Sequence, residues 1–491
     1  MIYLEQNAEI YNNDIRAMLQ AFFDNEKVMV TPEGTRLSLK VEYTHDQDVE
    51  TVVSAGGYVT YTLEDEDGYC DVKTVVVDFA NKKIARNPLK AALYRMLSVY
   101  TGKELPWGSM TGVRPTKVAT ELIEGGATEE EVHKVYTNTY LTIPQKADIC
   151  IEVAKKEQEL FKDFCYEEEY CIYVGIPFCP SRCLYCSFTS YPIAMYQDKV
   201  EDYLQALFKE MQFVAGADAY KNKRLVAIYI GGGTPSALNA KQLGRLVKEI
   251  QTVFDMQYVR EFCVECGRPD SITMDKLQTL RALGVERISI NPQTMSDETL
   301  QLIGRAHSVA QTKEAFWMAR EAGFTNINMD MIVGLPGEDI TDVRHTLEEI
   351  EAMAPDSLTV HSLAIKRAAN LNIEMERYQS LIKGSTNEML LAVDESARRL
   401  DLYPYYLYRQ KNIPGKLENI GYAKEGKECV YNILIMEEKM DILAMGAGGS
   451  SKFVFHKENR IERVENVKNV DEYIHRIDEM IERKQKMFHQ L

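Results

Sequence analysis

Residues 175–186 read Gly175-Ile176-Pro177-Phe178-Cys179-Pro180-Ser181-Arg182-Cys183-Leu184-Tyr185-Cys186 and follow a short apolar run, residues 171–176, that predicts a β-strand. Three of the ten cysteines thus fall within eight residues, which indicates a metal centre because ten cysteines in 491 residues make no disulfide scaffold. Zinc usually takes two Cys-x-x-Cys pairs or a histidine partner, and no second pair is in register here. Three thiolates with an open fourth position favour an iron–sulfur cluster.

Further apolar runs follow this strand and alternate with segments of helical periodicity. The six predicted strands are residues 171–176, 225–230, 261–265, 287–291, 326–333 and 357–363. Strands that alternate with amphipathic helices predict a parallel sheet with right-handed crossovers. Six such units predict an α/β fold, an open and partial (β/α)6 barrel, whose functional residues lie at the C-terminal ends of the strands.

The sequence predicts three domains: an N-terminal α+β domain at 1–165, the barrel at 170–370 and a C-terminal α+β extension at 371–491. The acidic segment 163–169 is the expected boundary between the first two. The extension is expected to carry helices near residues 387–401 and 471–486 and an aromatic run at residues 403–408.

The N-terminal domain combines hairpins with helices. Its strand-like alternation, at residues 36–43, 58–63 and 72–77, precedes helical patterns from Pro88 onward. The acidic runs at residues 46–48 and 64–68 fall at the turns between these strands. A solvated loop is therefore the simplest interpretation of both runs, ahead of a metal site.

Composition and charge narrow the class of function. The formal net charge is −17, which disfavours nucleic-acid backbones and anionic lipid as partners. No run approaches the roughly 20 apolar residues of a membrane-spanning helix. The first residues, Met1-Ile2-Tyr3-Leu4-Glu5-Gln6, contain neither a basic nor an apolar region, so we expect a cytoplasmic protein.

The cysteine spacing resembles a known superfamily. Cys-x-x-x-Cys-x-x-Cys, with the aromatic Tyr185 before the last cysteine and a barrel strand in front, is similar to the radical S-adenosylmethionine (SAM) superfamily. The resemblance implies that Cys179, Cys183 and Cys186 bind a [4Fe-4S] cluster whose unique iron chelates the amino and carboxylate groups of SAM. It also implies reductive cleavage of SAM to a 5′-deoxyadenosyl radical.

The same resemblance implies where SAM binds. The run Gly231-Gly232-Gly233-Thr234-Pro235 ends the second strand, where bare backbone can approach a ligand. The implied SAM-binding residues are Tyr173, Tyr185, Gly232, Gly233, Thr234, Glu265, Gln293, Arg305, Asp330, Ile332 and Ala364. Jointly they offer a carboxylate for ribose hydroxyls and a guanidinium for the methionine carboxylate. Singly, Asp330 could cap a helix, Arg305 could pair with a surface acid and Gln293 could merely end a strand.

Gly-Gly-Gly-Thr-Pro resembles the oxygen-independent coproporphyrinogen III oxidases and their relatives. The chain departs from the oxidases proper at Ser187-Phe188, where they carry a further cysteine, and at Ile433-Leu434, where a Phe-Gln pair helps to hold a second SAM. Cys-Ser-Phe instead resembles the HemZ-type dehydrogenases and the HemW-type haem chaperones. Residues 111–116 and 408–412 favour the HemZ type.

The resemblance implies an oxidoreductase of haem biosynthesis that converts coproporphyrinogen III propionates to vinyl groups and yields protoporphyrinogen IX without oxygen. It implies a low-potential electron donor such as flavodoxin or ferredoxin, and we expect a monomer. A tetra-anionic tetrapyrrole requires local cations, for which the candidates are Lys366, Arg367, Arg409 and Lys411. A haem-binding carrier of the HemW type, and a radical SAM enzyme on another substrate such as tRNA, are the alternatives.

Other cysteine and histidine side chains have weaker claims to function. Strand alternation directs Cys263 and Cys266 to opposite faces, which favours core positions over a second metal pair. His307 and His361 lie near strand ends. Each is either a haem ligand or proton donor, or a hydrogen-bonded loop histidine.

Overall fold

The computed structural model describes residues 1–23, 26–45, 56–384, 386–410 and 417–491 and divides the chain into two compact units. The first unit contains Met1–Lys155 and Arg409–Leu417, and the second contains Lys156–Tyr408 and Glu418–Leu491. The boundary falls inside one continuous helix, Pro144–Phe161, and so precedes the acidic segment at residues 163–169.

The first unit is built on a five-stranded sheet with helices packed against it. Its elements are β1 (Ile2–Gln6), α1 (Asn12–Phe22), β2 (Val28–Met29), β3 (Leu37–His45), β4 (Gly56–Asp65), β5 (Cys70–Asp78), α2 (Lys82–Thr101), α3 (Thr116–Glu124), α4 (Glu129–Lys134), a π-helical turn (Val135–Thr139) and α5 (Pro144–Phe161). The strand order is β2-β1-β3-β4-β5, with β1 parallel to both neighbours and β3, β4 and β5 antiparallel. Alternation along β4 buries Val59, Tyr61 and Leu63 in one core with α1 and α2.

The turns of the first unit agree with the sequence patterns in part. The acidic run at residues 64–68 forms the turn between β4 and β5, where the Asp65 carboxylate accepts the backbone N–H groups of Asp67 (3.0 Å) and Tyr69 (2.9 Å). The other run, Asp46-Gln47-Asp48, lies outside the described residues. Helix α2 begins before Pro88, because the Asn81 side chain caps it by accepting the N–H of Ile84 (3.2 Å).

The second unit contains an eleven-stranded sheet. Its elements are β6 (Glu169–Ile176), β7 (Phe178–Cys179), β8 (Tyr191–Pro192), α6 (Val200–Ala215), β9 (Arg224–Gly232), α7 (Ala240–Val253), β10 (Glu261–Glu265), α8 (Met274–Ala282), β11 (Arg287–Ser289), α9 (Asp297–Leu302), α10 (Val309–Glu321), β12 (Ile327–Val333), α11 (Ile340–Met353), β13 (Ser357–Ser362), α12 (Asn370–Ile373), α13 (Met375–Tyr378), α14 (Asn387–Arg399), β14 (Tyr403–Arg409), β15 (Glu418–Ala423), α15 (Val430–Glu437), β16 (Asp441–Met445), β17 (Ser450–Phe455), β18 (Arg460–Glu465), α16 (Val470–His475) and α17 (Ile477–Phe488). None of the helices in the described ranges is long and apolar enough to cross a bilayer.

The six predicted strands are β6 and β9 to β13, and they form a run of parallel neighbours in the order β6-β9-β10-β11-β12-β13. The predicted mixed α/β fold with a partial barrel is therefore confirmed. Nearly all side chains of these strands are buried, as expected for a parallel sheet covered on both faces.

The chain beyond residue 370 continues the same sheet at both edges. Strand β15 is antiparallel to β13, and β16 is parallel to β6 with β17 and β18 following it. Helix α14 and the aromatic strand β14 lie where the sequence predicts a helix and an aromatic run. The predicted charged helix is interrupted at Arg476, which separates α16 from α17.

A buried ion pair joins the last helix to the glycine loop after β16. Glu210 on α6 and Lys484 on α17 are both fully buried, and their Oε1 and Nζ atoms lie 2.7 Å apart. Glu210 also accepts the Gly446 N–H (2.9 Å), the Asn466 amide (2.8 Å) and the Tyr473 hydroxyl (2.5 Å). Because hydrogen bonds occupy both carboxylate oxygens, the charge is compensated away from water.

We expect Lys484→Met to lower the free energy of unfolding by about 3 to 5 kcal/mol, because it leaves the Glu210 carboxylate buried without its cation. Urea unfolding followed by circular dichroism measures the loss. The control is Lys486→Met on the same helix, whose exposed pair with Glu482 should contribute less than about 1 kcal/mol. Equal effects of the two substitutions would show that the buried Glu210–Lys484 ion pair contributes no more to stability than an exposed pair.

Candidate functional site

A row of half-buried side chains runs across the central strands of the second unit. Apart from Arg224 at the start of β9, the side chains of β6, β9, β10, β12 and β13 that are not buried are Tyr173, Tyr229, Glu265, Asp330 and His361. The Tyr229 hydroxyl donates to the Glu265 carboxylate, and His361 Nε2 lies 3.8 Å from Asp330 Oδ2. The row is thus an accessible polar and aromatic surface on strands whose other side chains are nearly all buried.

The cysteine loop begins where β6 ends. Pairing of β7 with β8 closes its base, and the Tyr191 N–H donates to the Pro177 carbonyl (2.8 Å). Further along, the Leu184 N–H donates to the Ile303 carbonyl (2.9 Å), and the Leu184 carbonyl accepts the N–H of Leu371 (2.8 Å). Backbone hydrogen bonds therefore fix the loop from two neighbouring segments of the chain.

The three thiols of this loop each have their own polar neighbour. Cys179 Sγ lies 3.3 Å from Thr234 Oγ1, and Cys183 Sγ accepts a hydrogen bond from Arg268 Nη1 at 3.7 Å. Cys186 Sγ lies 4.0 Å from a serine hydroxyl. Burial raises the pKa of Cys179 to about 12 and also raises the pKa of Cys186. Across the described ranges, no three Cys, His, Asp or Glu side chains converge as ligands of a single metal ion.

The glycine run lies directly against the cysteine loop. The Gly233 N–H donates to the Ile176 carbonyl, and the Thr234 N–H donates to the Phe178 carbonyl, both at 2.7 Å. A Cβ atom at Gly233 would lie 2.7 Å from the Phe178 carbonyl oxygen and 3.0 Å from Cys179 Sγ. Any side chain there would occupy the space beside the Cys179 thiol, so the bare backbone leaves room for a bulky group on this thiol, such as an iron–sulfur cluster.

Glu265 and Asp330 form a pair of carboxyl groups on the accessible row. Ser289 Oγ (3.5 Å) and Asn291 Nδ2 (3.4 Å) also donate to Glu265. Burial, and then the negative charge of Asp330, raises the pKa of Glu265 to about 7. Asp330 accepts a hydrogen bond from Asn328 Nδ2 at 2.6 Å. The Glu265 carboxyl is therefore partly protonated near neutral pH.

Arg305 is a buried cation that touches the cysteine loop. Its guanidinium donates to the Tyr185 hydroxyl (3.1 Å) and to the carbonyl oxygens of Gly267 (2.8 Å) and Asn291 (2.5 Å). Within the described part of the chain, its Nε atom and Gln293 Oε1 are buried without a hydrogen-bond partner. Buried polar atoms that lack partners are the kind that a bound polar ligand would satisfy.

Gln293, Ile332, Tyr173 and Ala364 complete the predicted SAM-binding set. Gln293 has a positive φ of 68°, and its backbone bonds to the Asp330 carbonyl and to the Ile332 N–H at 2.9 Å each. Ile332 is buried in an apolar cluster that contains Leu184 of the cysteine loop. Tyr173 belongs to the accessible row, and Ala364 is half-exposed two residues after β13.

Three functional candidates were not singled out from the sequence: Tyr229, Tyr431 and Arg268. The rings of Tyr173, Tyr229 and Tyr431 form a nearly parallel cluster, in which the centroid of Tyr229 lies 6.3 Å from Tyr173 and 4.5 Å from Tyr431, and the Tyr173 and Tyr431 centroids are 6.2 Å apart. Arg268, three positions after Glu265, reaches Cys183. The register of Tyr229 opposite Tyr173 could have been found by aligning the two predicted strands, whereas the contacts of Tyr431 and Arg268 are set by tertiary structure.

The cations proposed for an anionic substrate separate into three groups. Lys366 is half-buried with Nζ 5.5 Å from the centre of the Phe188 ring, and Arg367 is exposed. Arg409 belongs to the first unit, where its backbone N–H donates to the Val113 carbonyl and Nη1 donates to the Met110 carbonyl, both at 2.7 Å. Lys411 lies outside the described residues.

The remaining cysteine and histidine candidates are buried or paired. Cys263 and Cys266 are both buried and have different neighbours, Cys429 and Ser236, so they do not form a pair. Burial and the charge of Arg305 lower the pKa of His307 to about 3, which keeps this ring neutral. Its Nδ1 atom lies 3.9 Å from Asp270 Oδ1.

Comparison with known proteins shows close relatives. Residues 173–350 match the radical SAM superfamily. The oxygen-independent coproporphyrinogen-III oxidase-like protein HemZ of Bacillus subtilis (strain 168) is 37% identical over 411 residues, which cover 83% of this chain and 82% of that protein. Heme chaperone HemW of the same organism is 36% identical over 195 residues, or 40% of this chain and 50% of HemW. A solved structure of coproporphyrinogen III oxidase (HemN) from Escherichia coli, described as a radical SAM enzyme, aligns at 24% identity with a TM-score of 0.49, over 66% of this chain and 73% of that chain.

We expect Glu265→Gln to change how the stability of the cofactor-free protein depends on pH. The pKa of Glu265 rises on folding from its ordinary value of 4.5 to about 7, so the folded state holds the extra proton between these pH values. The contribution of Glu265 to stability is therefore full below about pH 4.5 and is lost as the pH rises to about 7. Urea unfolding at pH 5 and pH 8 should show the variant gaining roughly 1 to 3 kcal/mol relative to the parent at the higher pH.

The matched control is Glu314→Gln on the exposed side of α10, which should leave the pH profile of the parent unchanged. Parallel profiles for Glu265→Gln and the parent would show that this carboxyl is ionised throughout.

Proposed function

Since this chain belongs to the radical SAM superfamily and, within it, to the oxygen-independent coproporphyrinogen III oxidase-like proteins, we propose that it oxidatively decarboxylates coproporphyrinogen III to protoporphyrinogen IX. The observation that carries the proposal is the junction of the cysteine loop, the glycine run and the accessible row at the C-terminal ends of β6, β9 and β10. There, the loop that carries the three cysteines follows β6, the glycine run that ends β9 is hydrogen-bonded to that loop, and the Glu265 carboxyl ends β10 with the Tyr229 hydroxyl bonded to it.

The cofactors of this superfamily are a [4Fe-4S] cluster and SAM. We assign Cys179, Cys183 and Cys186 to the cluster, since they are the thiols of the loop that the glycine backbone approaches. When bound, the two cofactors supply an electron and the 5′-deoxyadenosyl radical that abstracts a propionate β-hydrogen. A low-potential donor such as flavodoxin or ferredoxin would deliver the electron.

The chain's own residues bind and position SAM. The residues assigned to it are Tyr173, Tyr185, Gly232, Gly233, Thr234, Glu265, Gln293, Arg305, Asp330, Ile332 and Ala364. The buried Arg305 Nε and Gln293 Oε1 offer a donor and an acceptor to a zwitterionic ligand. The proton that burial and Asp330 keep on Glu265 would leave when a cationic ligand arrives, since the positive charge lowers the pKa of a neighbouring carboxyl.

Lys366 and Arg367 are the cations that we assign to substrate carboxylates. Lys366 is near Cys186, whose charge opposes the lowering of the Lys366 pKa by burial. Its ammonium also lies over Phe188, whose ring is 66% exposed and can pack against the apolar faces of a tetrapyrrole. Each propionate would give one hydrogen atom to the 5′-deoxyadenosyl radical and one electron to an external one-electron acceptor, and would release carbon dioxide to become a vinyl group.

A second candidate function is haem carriage without decarboxylation. Two observations favour it: the similarity to HemW, and the presence of Ile433 and Leu434 where the oxidases have a Phe-Gln pair. Ile433 and Leu434 are fully buried in the hydrophobic core that contains Tyr431, so they present no side chain to a second SAM.

We expect Cys179→Ala, Cys183→Ala and Cys186→Ala each to abolish the charge-transfer absorbance of the anaerobically reconstituted protein, because each removes one of three cluster ligands. The parent should hold about four iron atoms per chain. Iron analysis and visible absorbance measure both quantities. The control is Cys266→Ala, a buried cysteine outside the loop, which should keep the full iron content. A triple alanine variant with undiminished iron would refute the ligand assignment.

We expect the reconstituted parent, given SAM, reductant and coproporphyrinogen III without oxygen, to form protoporphyrinogen IX through a three-carboxylate intermediate. Ile433 and Leu434 are core residues, so we expect only one SAM to bind at a time. A fresh SAM must then replace the spent one between the two decarboxylations, and the intermediate should accumulate during this exchange. Product analysis over time should give one 5′-deoxyadenosine per carbon dioxide. SAM cleavage independent of the porphyrinogen, with stoichiometric haem binding, would instead support the carrier.

A further inference from the structure

Arg268 is buried beside the cysteine loop. The function proposed above assigns it no role. It lies in the segment after β10, with 3% of its surface exposed. Its Nη1 atom donates to Cys183 Sγ (3.7 Å), to the Ser181 carbonyl (3.2 Å) and to Ser181 Oγ (3.1 Å). One nitrogen of Arg268 therefore faces the backbone and a thiol of the same loop.

The opposite edge of this guanidinium is held by a carboxylate. Arg268 Nε and Nη2 donate to Asp270 Oδ1 (3.0 Å) and Oδ2 (2.8 Å), which is a bidentate pair. Such a pair fixes the plane of the guanidinium and leaves Nη1 directed at the loop.

Arg268 and Arg305 give this side of the loop a net positive charge. Arg305 contacts Tyr185, between Cys183 and Cys186, while Asp270 offsets only one of the two guanidinium groups. The two guanidinium groups therefore place positive charge beside Cys183 and Tyr185 of the loop.

We infer that Arg268 tunes the reduction potential of the cluster, by donating a charge-assisted hydrogen bond to the Cys183 sulfur. The inference rests on the proposed assignment of Cys183 as a cluster ligand. Reduction adds negative charge to a cluster, and hydrogen bonds and positive charge at its sulfurs stabilise the reduced form. Arg268 thus raises the potential and makes reduction by the electron donor more favourable. It is a positioning residue, since it acts through a ligand.

The test is a redox titration of the reconstituted cluster, without SAM or substrate, followed by electron paramagnetic resonance. Arg268→Met should disfavour reduction about tenfold, which for a one-electron couple is a fall of about 59 mV in midpoint potential. Arg268→Lys keeps the charge and should restore part of the shift. A change of less than twofold in Arg268→Met at full iron content would overturn the inference.

The matched control is Arg320→Met, which breaks another arginine–aspartate pair, with Asp356 at 2.6 Å, that does not contact the cysteine loop. It should lower the melting temperature and leave the potential unchanged. If Arg268→Met does not retain a cluster, Arg268→Gln and Arg268→Lys are titrated instead, and equal potentials for these two and the parent would refute the role. A parent that binds no iron would refute the ligand assignment itself, which is a separate outcome.

Discussion

The close approach of the glycine backbone to the cysteine loop is the constraint on which the candidate site depends. Gly233 and Thr234 donate to the carbonyls of Ile176 and Phe178, so the end of β9 is tied to both sides of Pro177. A Cβ at Gly233 would clash with the Phe178 carbonyl and crowd Cys179. The end of β9 can therefore pack this closely against the cysteine loop only because Gly233 has no side chain.

The glycine loop after β16 also packs closely against the end of β6, on the side opposite β9, and it too leaves no room for a side chain. Gly446 has a φ of 98°, and a Cβ atom there would lie 2.4 Å from the Gly175 carbonyl oxygen. The Tyr203 hydroxyl donates to that carbonyl (2.6 Å) and accepts the Ala447 N–H (3.0 Å). Together with the Glu210–Lys484 pair, these contacts make the C-terminal residues part of the support for the first barrel strand. This is a physical reason why the barrel and its extension form one compact unit.

Sequence patterns predict the barrel well because its strands are buried on both faces and its helices are amphipathic, so apolar runs alternate with helical periods. They also indicate the cysteine loop and the glycine run, whose spacing is local. Strands β1, β15 and β16 escape prediction because each pairs with a strand distant in the sequence, such as β13 for β15 and β6 for β16. Tyr431 and Arg268 are missed for the same reason, since their contacts join elements far apart in the chain.

The local charge of the site also shows why net charge is a poor guide to a ligand. The chain carries a formal charge of −17, which by itself disfavours a tetra-anionic substrate. Yet Arg268 and Arg305 contact the cysteine loop and Lys366 lies beside Phe188, while Asp270 forms an ion pair with Arg268 alone. Charges at short range in a partly buried site act more strongly than charges spread over a solvated surface, because water and salt screen the latter. The local positive charge beside the cysteine loop is therefore a better guide to the charge of a ligand at this site than the net charge of the whole chain.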